Sequence, residues 1–132
     1  MKIKINENER IDDLELNGLK IIQDKDGFCF GIDSVLLTDF AKNIKAKSNV
    51  IDLGTGTGII PILLTQKTKN TNFVGIELQT EVANMAERSV KINNLENRIK
   101  ILNLNILELD KNYRKNSFDV VTTNPPYKKL NT

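Results

Sequence analysis

Between residues 50 and 64 an apolar run enters a glycine-rich turn and leaves it as a second apolar run. Val50-Ile51-Asp52-Leu53 leads into Gly54-Thr55-Gly56-Thr57-Gly58, and Ile59 to Leu64 follows. Few folds accommodate this order. The first run suits a short strand buried on both faces. The second reads as a buried helix with Pro61 in its first turn, where the missing N–H costs little. Glycine at the junction allows a sharp turn and a close approach of backbone to a ligand. The spacing is GxGxG, not the GxGxxG of dinucleotide binders. Taken alone, the loop is also compatible with a plain strand-to-helix turn.

The rest of the chain supplies a matching rhythm. Phe73-Val74-Gly75-Ile76 is a second strand ending at Glu77, and Thr80 caps a helix with Val82, Met85, Ala86 and Val90 on one face. Ile99 to Leu104 is a third strand, residues 108–117 carry no strong helical period, and Phe118 to Thr122 is a fourth strand. Alternating strands and helices predict an α/β fold with a parallel sheet of about four core strands. If the fourth strand lies on the far side of the first, a topological switch point opens between them, the usual ligand crevice of such sheets. Upstream, Asn17-Gly18 between Leu14-Glu15-Leu16 and Leu19-Lys20-Ile21-Ile22 signals a hairpin with a type I′ turn. Phe28-Cys29-Phe30-Gly31 is short and apolar, and Asp33 or Ser34 is placed to cap a helix from Val35 to about Lys45. The division expected is 1–47, a hairpin and helix flanking the site, and 48–132, the core.

Composition removes several chemistries. Lys plus Arg is 19 and Asp plus Glu 17, a net charge of +2, which neither demands nor excludes a nucleic-acid partner. The chain has no histidine, so a Ser-His-Asp triad, a Cys-His pair and a His-ligated metal are excluded within it. Cys29 is its one cysteine, which leaves no internal disulfide or multi-cysteine zinc site. No metal is expected. No signal segment or apolar run of membrane-spanning length is present, so no membrane partner is expected and the location expected is cytoplasmic.

Three features beyond the loop carry chemistry. Glu77 ends the second strand 19 residues after Gly58, where a carboxylate can accept from both hydroxyls of a ribose. Loop and acid together favour an adenosine-containing ligand. Asp52 is an acid in an apolar run and needs a partner, either a cationic ligand or the backbone of the loop. Asn124-Pro125-Pro126-Tyr127 follows the fourth strand. The prolines hold Asn124 extended. Its amide oxygen and a proline carbonyl can accept both protons of one NH2 group, drawing the lone pair out of conjugation. Tyr127 offers a flat face for a planar group.

Asp52 to Gly58, Glu77 and Asn124-Pro125-Pro126-Tyr127 together resemble the motifs of S-adenosylmethionine-dependent methyltransferases of the Rossmann-like class I. The Asn-Pro-Pro-Tyr form resembles those that methylate amino nitrogens of adenine, cytosine or a glutamine amide. Asn8-Glu9-Arg10-Ile11-Asp12-Asp13-Leu14 and Gly27 to Leu37 are similar to segments of the bacterial tRNA (adenine-N6)-methyltransferases acting beside the anticodon of a valine tRNA. The resemblance implies S-adenosylmethionine as cofactor and tRNA as substrate. It places Gly54, Thr55, Gly56 and Gly58 along the cofactor's methionine and ribose, and Asp52 near its ammonium. Glu77 falls on the ribose hydroxyls and Leu78 beside the adenine. Asn105 stands where the family often has an aspartate accepting from the adenine amino group. Asn124 and Pro125 would hold the target amino group and Tyr127 would stack on the base, with Pro126 part of the same catalytic motif. Family members continue for roughly as much chain again, so the sequence is expected to be C-terminally truncated, with self-association through an exposed sheet edge. Protein glutamine N-methylation and cofactor binding without turnover are the alternatives.

Overall fold

The structure, a computed structural model, describes residues 3–26, 32–41, 43–114 and 116–123. Strands β1 (Glu9–Asp13) and β2 (Lys20–Asp24) pair antiparallel. After α1 (Ile32–Phe40) come β3 (Asn49–Leu53), α2 (Ile59–Thr65), β4 (Asn72–Glu77), α3 (Thr80–Ile92) and β5 (Ile99–Asn103). A 3₁₀ turn (Ile106–Glu108), the single-turn α4 (Leu109–Asn112) and β6 (Val120–Thr123) complete the described elements. Strands β3 to β6 form one parallel sheet in the order β5-β4-β3-β6. The fourth core strand therefore lies across β3 from β4, and the switch point exists.

Burial explains the elements. Val50, Ile51 and Asp52 are buried in succession, as in a strand covered on both faces. Every residue of α2 is buried, Pro61 included. Helix α3 is amphipathic, burying Ala83, Met85, Ala86, Ser89 and Val90 while Glu81, Glu87 and Lys91 face water. Leu19 and Ile21 of the hairpin join Val50, Ile62, Leu64, Phe73 and Ile101 in a single cluster. The C-terminal end of α2 is closed by Arg98, whose guanidinium donates to the carbonyls of Thr65 (2.8 Å) and Thr71 (3.1 Å) and lies over the Phe73 ring.

Several boundaries differ from expectation. Asn17 and Gly18 do form the turn, with φ of 51° and 73° and Leu19 N–H donating to Leu16 O at 3.0 Å. The strand paired with β2 is Glu9–Asp13, however, with Asp13 opposite Lys20. Leu14 and Leu16 pack onto the core from the intervening loop, so their apolar character marks burial, not a strand. Asp33 and Ser34 lie inside the first turn of α1, which ends at Phe40, before a turn in which Lys47 takes a φ of 64°. Thr80 is the first residue of α3, and Gln79 is its cap. Strand β5 stops at Asn103. Strand β6 begins at Val120, and Phe118, two residues before it, packs edge-on to Tyr113 with ring centroids 4.9 Å apart. The Phe28-Cys29-Phe30-Gly31 segment lies outside the described residues.

Candidate functional site

The glycine loop leaves β3 at the C-terminal edge of the sheet. Gly54, Gly56 and Gly58 all take positive φ, at 67°, 60° and 87°. Among the described residues, a side chain added at Gly54 or Gly56 would meet nothing within 4 Å, so this face of the loop is open to them. Gly58 is turned inward, where a Cβ would touch Ala86 of α3 at 3.5 Å. Glu77, at the end of β4, reaches the loop. Its Oε1 accepts from Gly56 N–H and its Oε2 from Gln79 N–H, both at 2.9 Å. Each oxygen of a carboxylate can accept again.

Asp52 is 2% exposed and sits in register between Gly75 of β4 and Thr122 of β6. The Thr122 hydroxyl donates to Asp52 Oδ1 at 2.7 Å. The expected partner was a cation or the loop backbone; the structure supplies a neighbouring-strand hydroxyl. Burial pushes the Asp52 carboxyl up to about 6, opposed by the Thr122 hydroxyl and then the Thr55 hydroxyl, and helped by the nearby Glu77 carboxylate. Thr55, 3% exposed, is buried beside this group; its Oγ1 makes no hydrogen bond of good geometry among the described residues, although it lies near enough to Asp52 to favour the ionised carboxyl. A buried hydroxyl left without a bond costs free energy, and a polar ligand atom at the loop would supply one. The Thr55 side chain fits because β4 carries glycine beneath it. A Cβ at Gly75 would stand 2.9 Å from Thr55 Oγ1 and Cγ2.

Leu78 follows Glu77 and is 65% exposed. The turn carrying both is tied to β5 by Asn103, whose amide donates to the carbonyls of Glu77 (3.2 Å) and Leu78 (3.3 Å). Asn105 caps the 3₁₀ turn, its Oδ1 accepting from Leu107 N–H at 3.0 Å. Asn124, Pro125, Pro126 and Tyr127 lie outside the described residues. The strand that leads to them is pinned beside the loop: Thr123 is in register with Leu53, and its hydroxyl donates to Leu53 O at 3.2 Å.

A family model described as methyltransferase small domain matches residues 28–132. The chain belongs to this family.

Two relatives of the methyltransferase small domain chain illustrate the range. The tRNA1(Val) (adenine(37)-N6)-methyltransferase of Histophilus somni is 34% identical over 81% of this chain and 45% of its own length. The protein of the same description from Bacteroides thetaiotaomicron is 30% identical over 79% of this chain and 43% of its own. The chain thus spans less than half the length of these curated relatives. Among solved structures, the Pyrococcus abyssi tRNA (uracil-54, C5)-methyltransferase in complex with S-adenosyl-L-homocysteine superposes with a TM-score of 0.66 at 19% identity, over 92% of this chain and 29% of that one. The fold is accordingly the Rossmann-like fold of class I methyltransferases.

Sequence reasoning missed Thr122, Asn103 and Gly75. Gly75 carried a signal, since glycine within a strand often marks a close approach of another group. Thr122 and Asn103 carried none, because their partners depend on register across strands. Among the described residues, no helix is long and apolar enough to cross a membrane, and no group of three or more His, Cys, Asp or Glu side chains could hold a metal ion.

Proposed function

We propose that this chain carries the cofactor-binding part of an S-adenosylmethionine-dependent methyltransferase acting on the N6 amino group of an adenine in tRNA. In this reading, residues 1–47 flank the cofactor site and 48–132 are the first part of the catalytic core. The observation that carries it is the join of Glu77 to the open glycine loop at the switch point. The residues fit the cofactor. Gly54 and Gly56 leave room for it, Thr55 has an unmet buried hydroxyl, and Asp52 and Glu77 are acids for an ammonium and a ribose. Leu78 offers an apolar face to an adenine, and Asn105 an amide to its edge. The bound cofactor supplies an electrophilic sulfonium methyl. Asn124 and Pro125 accept from the target NH2 and stabilise its developing positive charge, while Pro126 and Tyr127 fix the segment and the base. The names of the relatives support tRNA as substrate, and a tRNA substrate supports a cytoplasmic setting.

The first test is calorimetry with S-adenosylhomocysteine. Glu77→Ala is expected to weaken binding by about 1–3 kcal/mol, because its ribose bonds are charge-assisted. Equal affinity in mutant and parent removes Glu77 from the site. The second test is labelled-methyl transfer with unmodified valine tRNA or a release factor as acceptor. Label on the protein and none on the RNA would replace adenine by a glutamine amide as target.

A further inference from the structure

Among the described residues the Asp52 carboxyl is the most deeply buried acid, and burial and its acidic neighbour work against its charge. Strand β4 presents Gly75 in register, with Glu77 two residues on; Glu77 is the titratable group that acts on Asp52, and it repels. The loop presents the Thr55 hydroxyl, and β6 presents Thr122. Both hydroxyls favour the ionised carboxyl, Thr122 the more strongly, and Thr122 is the one with a bond of good geometry. Its hydroxyl lies 2.7 Å from Asp52 Oδ1, within the range of an O–H donor on an ionised acceptor. Thr122 is itself buried, so water does not compete for the bond.

We propose that Thr122 is a positioning residue for cofactor binding, holding the Asp52 carboxyl ionised and aimed so that a carboxylate, not a neutral acid, meets the cofactor's ammonium. The proposal rests on the functional reading above and adds a residue to it. Burial favours the neutral acid, and a hydroxyl donated to the charged form opposes that preference. Thr122 lies two residues before Asn124. The strand that delivers the target-side motif therefore also sets the charge of the cofactor-side acid.

The test uses the 132-residue chain with Thr122→Val, which keeps the shape and removes the hydroxyl, and Thr122→Ser, which restores it. Carbon-13 NMR of the Asp52 carboxyl needs no ligand. The wild type is expected to titrate near 6. The Val variant should titrate about one pH unit higher, and the Ser variant with the wild type. S-adenosylhomocysteine affinity across pH is the second measurement. The Val variant should bind roughly fivefold more weakly near pH 6 and about as well as wild type above pH 8, because only the ionised fraction differs. An unchanged Asp52 titration, or a loss of affinity uniform in pH, overturns the proposal. If the Val variant does not fold, Thr122→Ala decides by the same measurement: its Asp52 carboxyl must titrate above the wild type's, and a wild-type titration overturns the idea. Failure of the wild-type chain to bind at any pH overturns the functional reading and the ligand part of this proposal. The carboxyl titration distinguishes that result from a failure of Thr122 to control Asp52.

Discussion

A buried acid carries a cost that pH can reveal. In the unfolded chain Asp52 has an ordinary value of 3.8, and burial in the fold raises it to about 6. The folded state therefore holds the proton more tightly, by on the order of a hundredfold, which corresponds to about 3 kcal/mol. That contribution favours the fold in full below the unfolded value and is lost as pH rises through about 6. We predict that Asp52→Asn, which keeps an acceptor for Thr122, stabilises the ligand-free chain by up to about 3 kcal/mol at pH 8, with most of the gain gone at pH 4. Urea unfolding at the two pH values measures it, and an equal effect at both would show that Asp52 does not carry the cost. The tension is what a functional acid placed for a cation would show before its ligand arrives. The sequence marked Asp52 as an acid needing a partner. It did not reveal Thr122, because a threonine in a strand is ordinary and the register that brings the two together is a property of the folded sheet.

At the scale of elements, the hairpin is held by side chains of α3. Ile22 N–H donates to the buried Ser89 Oγ at 2.9 Å, and Asn93 bonds both the N–H and the carbonyl of Lys20. These bonds satisfy β2 backbone groups that would otherwise form an open edge. Glu9 of β1 and Arg88 of α3 add a two-pronged ion pair, both bonds 2.6 Å. The Arg88 guanidinium holds the Glu9 carboxyl below its ordinary 4.5, so this support is present above that value and is lost as pH falls. Glu9→Gln leaves a partly buried guanidinium without its counter-charge and is expected to cost about 1–3 kcal/mol at pH 7. Hydrogen exchange should show the β1 amides released first; unchanged protection there would mean the pair does not anchor the hairpin. The elements themselves were legible from local rules. The glycine loop, the buried helix with Pro61 and the Asn17-Gly18 turn each depend on residues close in sequence. The misplaced ends had long-range causes. Leu14 and Leu16 read as strand because they are apolar, yet they fill the core from a loop. Thr80 read as a cap, yet its hydroxyl donates to Asn103 on β5 at 3.2 Å.

At the scale of the whole molecule, the edges of the two sheets are unequally protected. The outer strand of the hairpin, β1, carries Arg10, Asp12 and Asp13, and the outer strand β5 of the parallel sheet carries Lys100. Charges on an edge discourage pairing with another chain. Strand β6, the opposite edge of that sheet among the described residues, reads Val120-Val121-Thr122-Thr123 and carries no charge. Val121 is 60% exposed, whereas Ile51, its register partner on β3, is 3% exposed. Among the described residues the sheet's cover thus thins toward β6, leaving a β-branched, uncharged strand at the rim. Threonine and valine are strong strand formers, so such an edge is a template for another strand. We predict that the 132-residue chain self-associates through β6, seen in sedimentation velocity as a weight-average mass that rises with concentration. Val121→Lys places a charge at an exposed position that packs little, so it should leave the fold intact and return the chain toward a monomer. Lys100→Val at the β5 edge, by the same reasoning, should create a second route to association. A wild-type chain that stays monomeric at high concentration, or one whose association Val121→Lys leaves untouched, would show that β6 is shielded by something other than its own composition.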